Sequence, residues 1–271
     1  MSATDPVDLP SAGSRHAWEM VAVDGATQVD APALVHVLTA VLRRSSTWAC
    51  EPEGNLERRA VGAVAGLGPA LLVLARLRSS GLLVWDGLVH RRLRVVPADS
   101  GSSSDEGVLR LATTRRAGWE MTEVGSLAGG WQVTTWLAWP QAGRRAGPAG
   151  PGAGASALTG EPGEASFSSG TSEDPEILVL PQDVQAWARA SGDDNRLHLV
   201  PGAARHQGLS SDDGVIVHGM LLAALSMVLE PASGAVDLRF VAPVPLTDRA
   251  GLWARGGSLY DVRGLVLRRR S

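Results

Sequence analysis

Two stretches of this chain, AVGAVAGLGPALLVLARLR at 60–78 and MLLAALSMVL at 220–229, are apolar on nearly every side. A helix of that kind has no face for water, so each must lie in the middle of its own layer of structure rather than on a surface. Each is followed by strand-like segments. In the first half these are GLLVWDGLVHRRLRVV, GVLRLATTRRA, GWEMTEVGSLAG and GWQVTTWLAW, and in the second AVDLRFVAPV, AGLWARGG and LYDVRGLVLRRR. The order, a buried helix and then an antiparallel run, predicts an α+β architecture occurring twice.

Between the halves lies GRRAGPAGPGAGASALTGEPGEASFSSG, residues 143–170, dominated by Gly, Ala, Pro and Ser without apolar periodicity. Such a segment cannot build a core and reads as a linker. The expected division is therefore residues 1–142, the linker at 143–170, and residues 171–271. Further helices are expected at DAPALVHVLTAVLRR, with Asp30 as N-cap, and at PQDVQAWARA.

Bulk properties exclude several function classes. A net charge of -3 and a pI near 6.1 give no electrostatic case for nucleic acid or an anionic membrane surface. Cys50 stands alone, which rules out disulfides and cysteine metal sites within the chain. No run reaches the ~18 apolar residues of a membrane span, and the first twenty residues lack the pattern of a secretory signal, so a soluble, cytoplasmic chain without membrane insertion is expected.

Chemistry concentrates in ASGDDNRLHLV, 190–200, and VIVHGMLLAAL, 215–225. Gly192 can stop the helix before it, which leaves Asp193 and His198 in a loop, five residues apart, with Asn195 between them to tie the turn. Gly219 opens the apolar helix, where unpaired backbone N–H groups and the positive end of the helix dipole gather. A carboxylate with an imidazole, facing a helix N-terminus, is what proton transfer beside a carbonyl requires. A metal set of His198, His206 and His218 matches no familiar ligand spacing. The arginines of HRRLRVV, 90–96, read as a solvated strand face or as partners for phosphates.

SGDDNRLH and IVHGM, followed by LRFVAPV, resemble the signature of the MaoC-like hot-dog dehydratases, which include the (R)-specific enoyl-CoA hydratases. The resemblance implies an α+β double hot-dog, two repeats each with a long central helix wrapped by an antiparallel sheet, of which the N-terminal one is degenerate. It implies that Asp193 and His198 hold the water that is added or expelled, and that the Gly219 N–H binds the thioester oxygen, supported by Ser191, Asn195 and His218. It further implies reversible hydration of trans-2-enoyl thioesters of CoA or acyl carrier protein in fatty-acid metabolism, with no cofactor and no metal, in a monomeric pseudo-dimer or a homodimer. Apolar helix residues in GPALLVLARL are expected to line the acyl tunnel. A hot-dog thioesterase and a non-catalytic acyl-thioester-binding subunit are the alternatives. The sequence departs from the family motif at Arg196, where proline is usual, which predicts a looser turn.

Overall fold

The computed structural model describes residues 19–22, 29–98, 106–116, 118–140, 176–232 and 234–270. The 143–170 segment read as a linker lies outside the described residues. In chain order the main elements are β1 (Glu19–Ala22), α1 (Ala31–Arg44), α2 (Glu53–Ser80), β2 (Val89–Pro97), β3 (Val108–Arg116), β4 (Trp119–Ala128) and β5 (Trp131–Pro140). They continue with β6 (Ile177–Val179), α3 (Pro181–Ser191), α4 (Arg196–Leu199), α5 (Ala203–His206), β7 (Val215–Ile216), α6 (Gly219–Leu229) and β8 (Val236–Phe240). The chain ends with β9 (Pro245–Leu246), β10 (Ala250–Arg255), β11 (Ser258–Asp261) and β12 (Gly264–Arg270).

Ten strands form one sheet in the order β1-β3-β4-β5-β2-β8-β12-β11-β10-β6. The order reads the same from both ends: an edge strand, a three-strand meander, then the strand that follows the long apolar helix. An architectural repeat expected from element order is thus present as a two-fold pattern in the sheet. The halves meet where β2 pairs antiparallel with β8, with Leu93 opposite Leu238 and Val95 opposite Val236. All four side chains are buried. On the other face of this seam Arg92 holds Asp237 through two hydrogen bonds, Nε to Oδ1 at 2.9 Å and a second to Oδ2 at 2.5 Å.

The local reasons for these helices lie in their sequence. The Asp30 carboxylate accepts the Ala33 N–H at 3.0 Å and caps α1, as expected. Asp183, three residues into α3, accepts the Leu180 N–H at 2.8 Å and also holds Arg44 at the end of α1. Helix α2 begins at Glu53, seven residues before the apolar pattern starts, because its first two turns carry charges outward. It ends at Gly81, whose left-handed φ of 64° suits a helix stop.

At 28 residues α2 is long and apolar enough to cross a membrane by length and composition, contrary to the expectation that no such run exists. Its apolar side chains instead enter the common core with α1, α6 and the sheet. Where α2 meets α6, a Cβ on Gly66 would fall 2.6 Å from Met227 Cε, so the missing side chain lets the two central helices approach. Residues 220–228 of α6 are all buried, and its one polar member, Ser226, donates to Gly257 O at 2.5 Å.

Truncating Leu238 to Ala at the seam removes contacts from both halves. We expect a loss of about 2–5 kcal/mol, read by urea denaturation, in a single transition shared by the two halves.

Candidate active site

Helix α3 ends at Gly192, φ 67°, and the Asp193 N–H turns back to Ala188 O at 2.9 Å. This C-terminal turn drives Asp193 inward, to 6 % exposure, while Asp194 points to solvent. Asn195 then caps the short α4 by accepting the Leu197 N–H at 3.1 Å, which brings His198 to face the start of α6. The polar loop of the sequence is therefore a helix stop followed by a helix start, and its acid and imidazole point the same way.

Asp193 is saturated with donors. Its Oδ1 accepts the Trp85 indole N–H at 2.7 Å and the Asn195 N–H at 3.2 Å, and its Oδ2 lies 3.2 Å from His218 Nδ1. Burial pushes the carboxyl pKa up, but the hydrogen bond and pull of His218, the pull of His198 and the Trp85 bond outweigh it. The carboxyl is held well below its ordinary value and is ionised.

His198 faces Ile216 O at 2.9 Å through Nδ1. A carbonyl only accepts, so Nδ1 carries the proton and a neutral ring leaves Nε2 as the base. Burial first, and then repulsion from His218, lower the His198 pKa to about 3, so the ring is neutral near pH 7. The His198 and His218 rings stack with centroids 3.7 Å apart, and His218 Nε2 is buried without a partner.

A cleft partly open to solvent is lined by His198, Gly219, His90, Arg91, Leu222 and Phe240 among others. Asp193 and His218 are not among its lining residues and lie behind His198. As the first residue of α6, Gly219 has an N–H with no acceptor inside the helix. A Cβ there would sit 3.1 Å from His90 Cβ and 3.2 Å from its ring, so any side chain would press on His90.

No residue of the GPALLVLARL segment of α2 lines the cleft, contrary to expectation. Those side chains are consumed by the core, and Leu88, the start of β2 (Val89, His90 and Arg91) and Trp119 of β4 supply the N-terminal half's share. Residues 81–88, expected to be the start of a long strand, form a turn that fastens the loop. In addition to the Trp85 bond, Gly87 N–H donates to Asn195 Oδ1 at 3.0 Å and Asn195 Nδ2 donates to Leu88 O at 2.8 Å. Arg78 lies over the Trp85 ring at 5.1 Å and also donates to Ser191 O. Ser191 itself is tied to Trp187 O at 2.8 Å and acts on the loop only through its backbone.

Arg196 is explained by the same turn. Its backbone N–H donates to Asp86 Oδ1 at 3.1 Å, a bond that proline has no proton to make. The looser turn predicted from Arg196 is therefore offset by a fastening to the other half of the chain.

His90, Trp85, Asp86 and Arg78 were missed from sequence, because they lie more than one hundred residues from the loop they serve. Of the three histidines weighed as a metal set, His206 is exposed and bonds Gly202 O at 2.7 Å. Asp193 takes its place, since one ligand atom from each of Asp193, His198 and His218 lies within 4.8 Å of the others. By distance these three could hold a metal ion.

No protein-family model and no curated protein matches the sequence. Among solved structures, HtdX of Mycobacterium tuberculosis is similar with a TM-score of 0.50 at 17% identity, over 93% of this chain and 97% of that one. A protein described as a MaoC-like dehydratase gives 0.49 at 15% identity, over 95% and 97%. The full-length peroxisomal multifunctional enzyme type 2 of Drosophila melanogaster gives 0.44 at 17% identity, over 92% of this chain and 46% of that one. At such identity the likeness to HtdX speaks for the fold alone. The chain is an α+β double hot-dog, the fold implied by its resemblance to the MaoC-like dehydratases.

Two outcomes follow from the geometry. Replacing Trp85 with Phe leaves the buried Asp193 carboxylate one donor short, and we expect ~1–3 kcal/mol of lost stability by chemical denaturation. Acid should also weaken the fold. His198 has a folded pKa of about 3 against an ordinary 6.5, so below about pH 6.5 the unfolded chain binds a proton that the folded chain refuses. His90, lowered by burial to about 4, acts in the same direction. Stability is fully present above pH 6.5 and falls as pH drops toward 4, and His198→Gln should flatten that fall in thermal melts.

Proposed function

We propose that the protein is a hydro-lyase that adds water reversibly to trans-2-enoyl thioesters of CoA or acyl carrier protein to give (3R)-3-hydroxyacyl thioesters. The observation that carries this reading is the pairing, in one cleft, of a neutral His198 with its base nitrogen free and the unblocked N–H of Gly219 at the head of a buried helix. His198 Nε2 takes a proton from water as the water oxygen bonds to C3 of the substrate. The C2=C3 electron pair moves toward the thioester, and the charge that develops on its oxygen is met by the Gly219 N–H and the α6 dipole. A proton then returns to C2, so that one water is added in total.

Asp193 serves as the fixed negative charge behind the imidazole. It lies within 4.8 Å of His198 and favours the imidazolium formed in that step, while its own oxygens are taken by Trp85, Asn195 and His218, which leaves the water in the cleft to His198. Asn195, Ser191 and His218 keep that carboxylate and the loop in place. The working half is residues 171–271, joined through 143–170 to a degenerate half at 1–142, and one chain supplies both halves of the pseudo-dimer. The fastening of Arg196 by Asp86 weighs against a merely binding subunit, since it offsets the loss of the usual proline.

Loss of enoyl absorbance with crotonyl-CoA and longer enoyl-CoAs tests the reading. Asp193→Asn and His198→Ala should each lower kcat by ~100-fold or more, and Gly219→Ala should lower it by crowding His90. Release of free thiol instead of hydration would point to a thioesterase. The proposed chemistry uses no metal, so dialysis against EDTA should leave the rate unchanged. A rate lost to EDTA and restored by zinc would assign the Asp193, His198 and His218 trio to an ion.

A further inference from the structure

Strand β2 pairs with β5 without interruption from Pro97 opposite Trp131 back to Arg92 opposite Trp136, and then the register slips. His90 pairs with Leu137, which leaves Arg91 as an inserted residue. A bulge sets two consecutive residues against one partner and re-aims them, where regular alternation would send one to each face of the sheet. In this case His90 and Arg91 both line the cleft that holds His198 and Gly219.

Among the described residues Arg91 is a cation without a counter-charge. Its neighbour Arg92 is held by Asp237, and Arg196, Arg263 and Arg269 each face a carboxylate. Among the described residues Arg91 has no ion pair and no hydrogen-bond acceptor for its side chain. Burial, and then Arg239, lower its pKa, so its surroundings oppose its charge. A half-buried, unpaired guanidinium in a cleft is costly unless an anion arrives with the ligand, and its planar fork matches a carboxylate through two parallel hydrogen bonds.

We propose that Arg91 binds a carboxylate on the acyl group of the thioester, so that the substrates are 2-enoyl and 3-hydroxyacyl thioesters of dicarboxylic acids. The proposal rests on the hydro-lyase reading for its reaction but not for its binding chemistry. Position argues for the acyl group over the carrier. Arg91 follows His90, whose ring packs against Gly219, so the guanidinium belongs to the wall next to the reacting carbonyl. The phosphates of the carrier are a whole pantetheine arm away from that carbonyl. Val89, Leu209, Ile216, Leu222 and Phe240 supply an apolar wall for the methylenes between the thioester and the distal charge.

The test uses ligands that cannot react, titrated calorimetrically into the full-length protein. Glutaryl-CoA, which has the distal carboxylate, should bind about 10-fold or more tightly than butyryl-CoA, which lacks it. Arg91→Gln should bring that ratio to about one, and Arg91→Lys should retain part of it. Equal binding of the two ligands by the wild-type protein overturns the proposal without recourse to any variant, as does a preference that survives Arg91→Gln. Equal weakening of both CoA ligands in Arg91→Gln, with butyryl-pantetheine unaffected, assigns Arg91 to the carrier phosphates and also overturns it. Failure of the wild type to hydrate crotonyl-CoA and glutaconyl-CoA alike would sink the hydro-lyase reading while leaving the binding preference standing.

Discussion

A carboxylate taken out of water is expensive unless its lone pairs are met, and Asp193 meets that demand with donors from three places. One is the backbone of its own loop, one is His218 just before α6, and one is the Trp85 indole from the other half of the chain. The Trp85 bond therefore ties the buried carboxylate to the docking of the two halves. The 85–88 turn reinforces that docking through Asp86, Gly87 and Leu88, each of which bonds the 195–196 backbone or the Asn195 side chain. The half without the motif residues is thus part of the site, holding the acid in place and walling the cleft through β2.

The central helices make the same dependence visible in the core. Helix α6 is buried on nearly every side, packed against α2, which approaches it at Gly66, and against the sheet. Its N-terminus, fixed by that packing, presents the Gly219 N–H to the cleft. The apolar length of that helix anchors it, and its first residue carries an N–H with no acceptor inside the helix.

Much of this was legible in the chain. The apolar patterns located α2 and α6, Asp30 and Gly192 behaved as cap and stop, and the spacing from Asp193 to His198 announced a loop whose two groups converge. These features are local, governed by periodicity and by the conformations that Gly and Asn allow. Trp85, His90 and Arg91 were not legible, because a tryptophan, a histidine and an arginine in a strand-like run carry the same letters whether they face water, core or cleft. The bulge at Arg91 is a slip in pairing between β2 and β5, which are far apart in the chain, and no single strand encodes it.

The sequence by itself determined the two buried helices, the helix-then-strands order of each half and the acid, imidazole and glycine of the C-terminal half, since each follows from neighbours a few residues apart. Only the tertiary structure decided that Asp86 fastens the loop where a proline would stiffen it, that Trp85 completes the Asp193 site, and that Arg91 lines the cleft with no partner among the described residues. The reason is physical: charge compensation acts through space, and whether a polar group is satisfied depends on partners that the chain brings back from more than one hundred residues away.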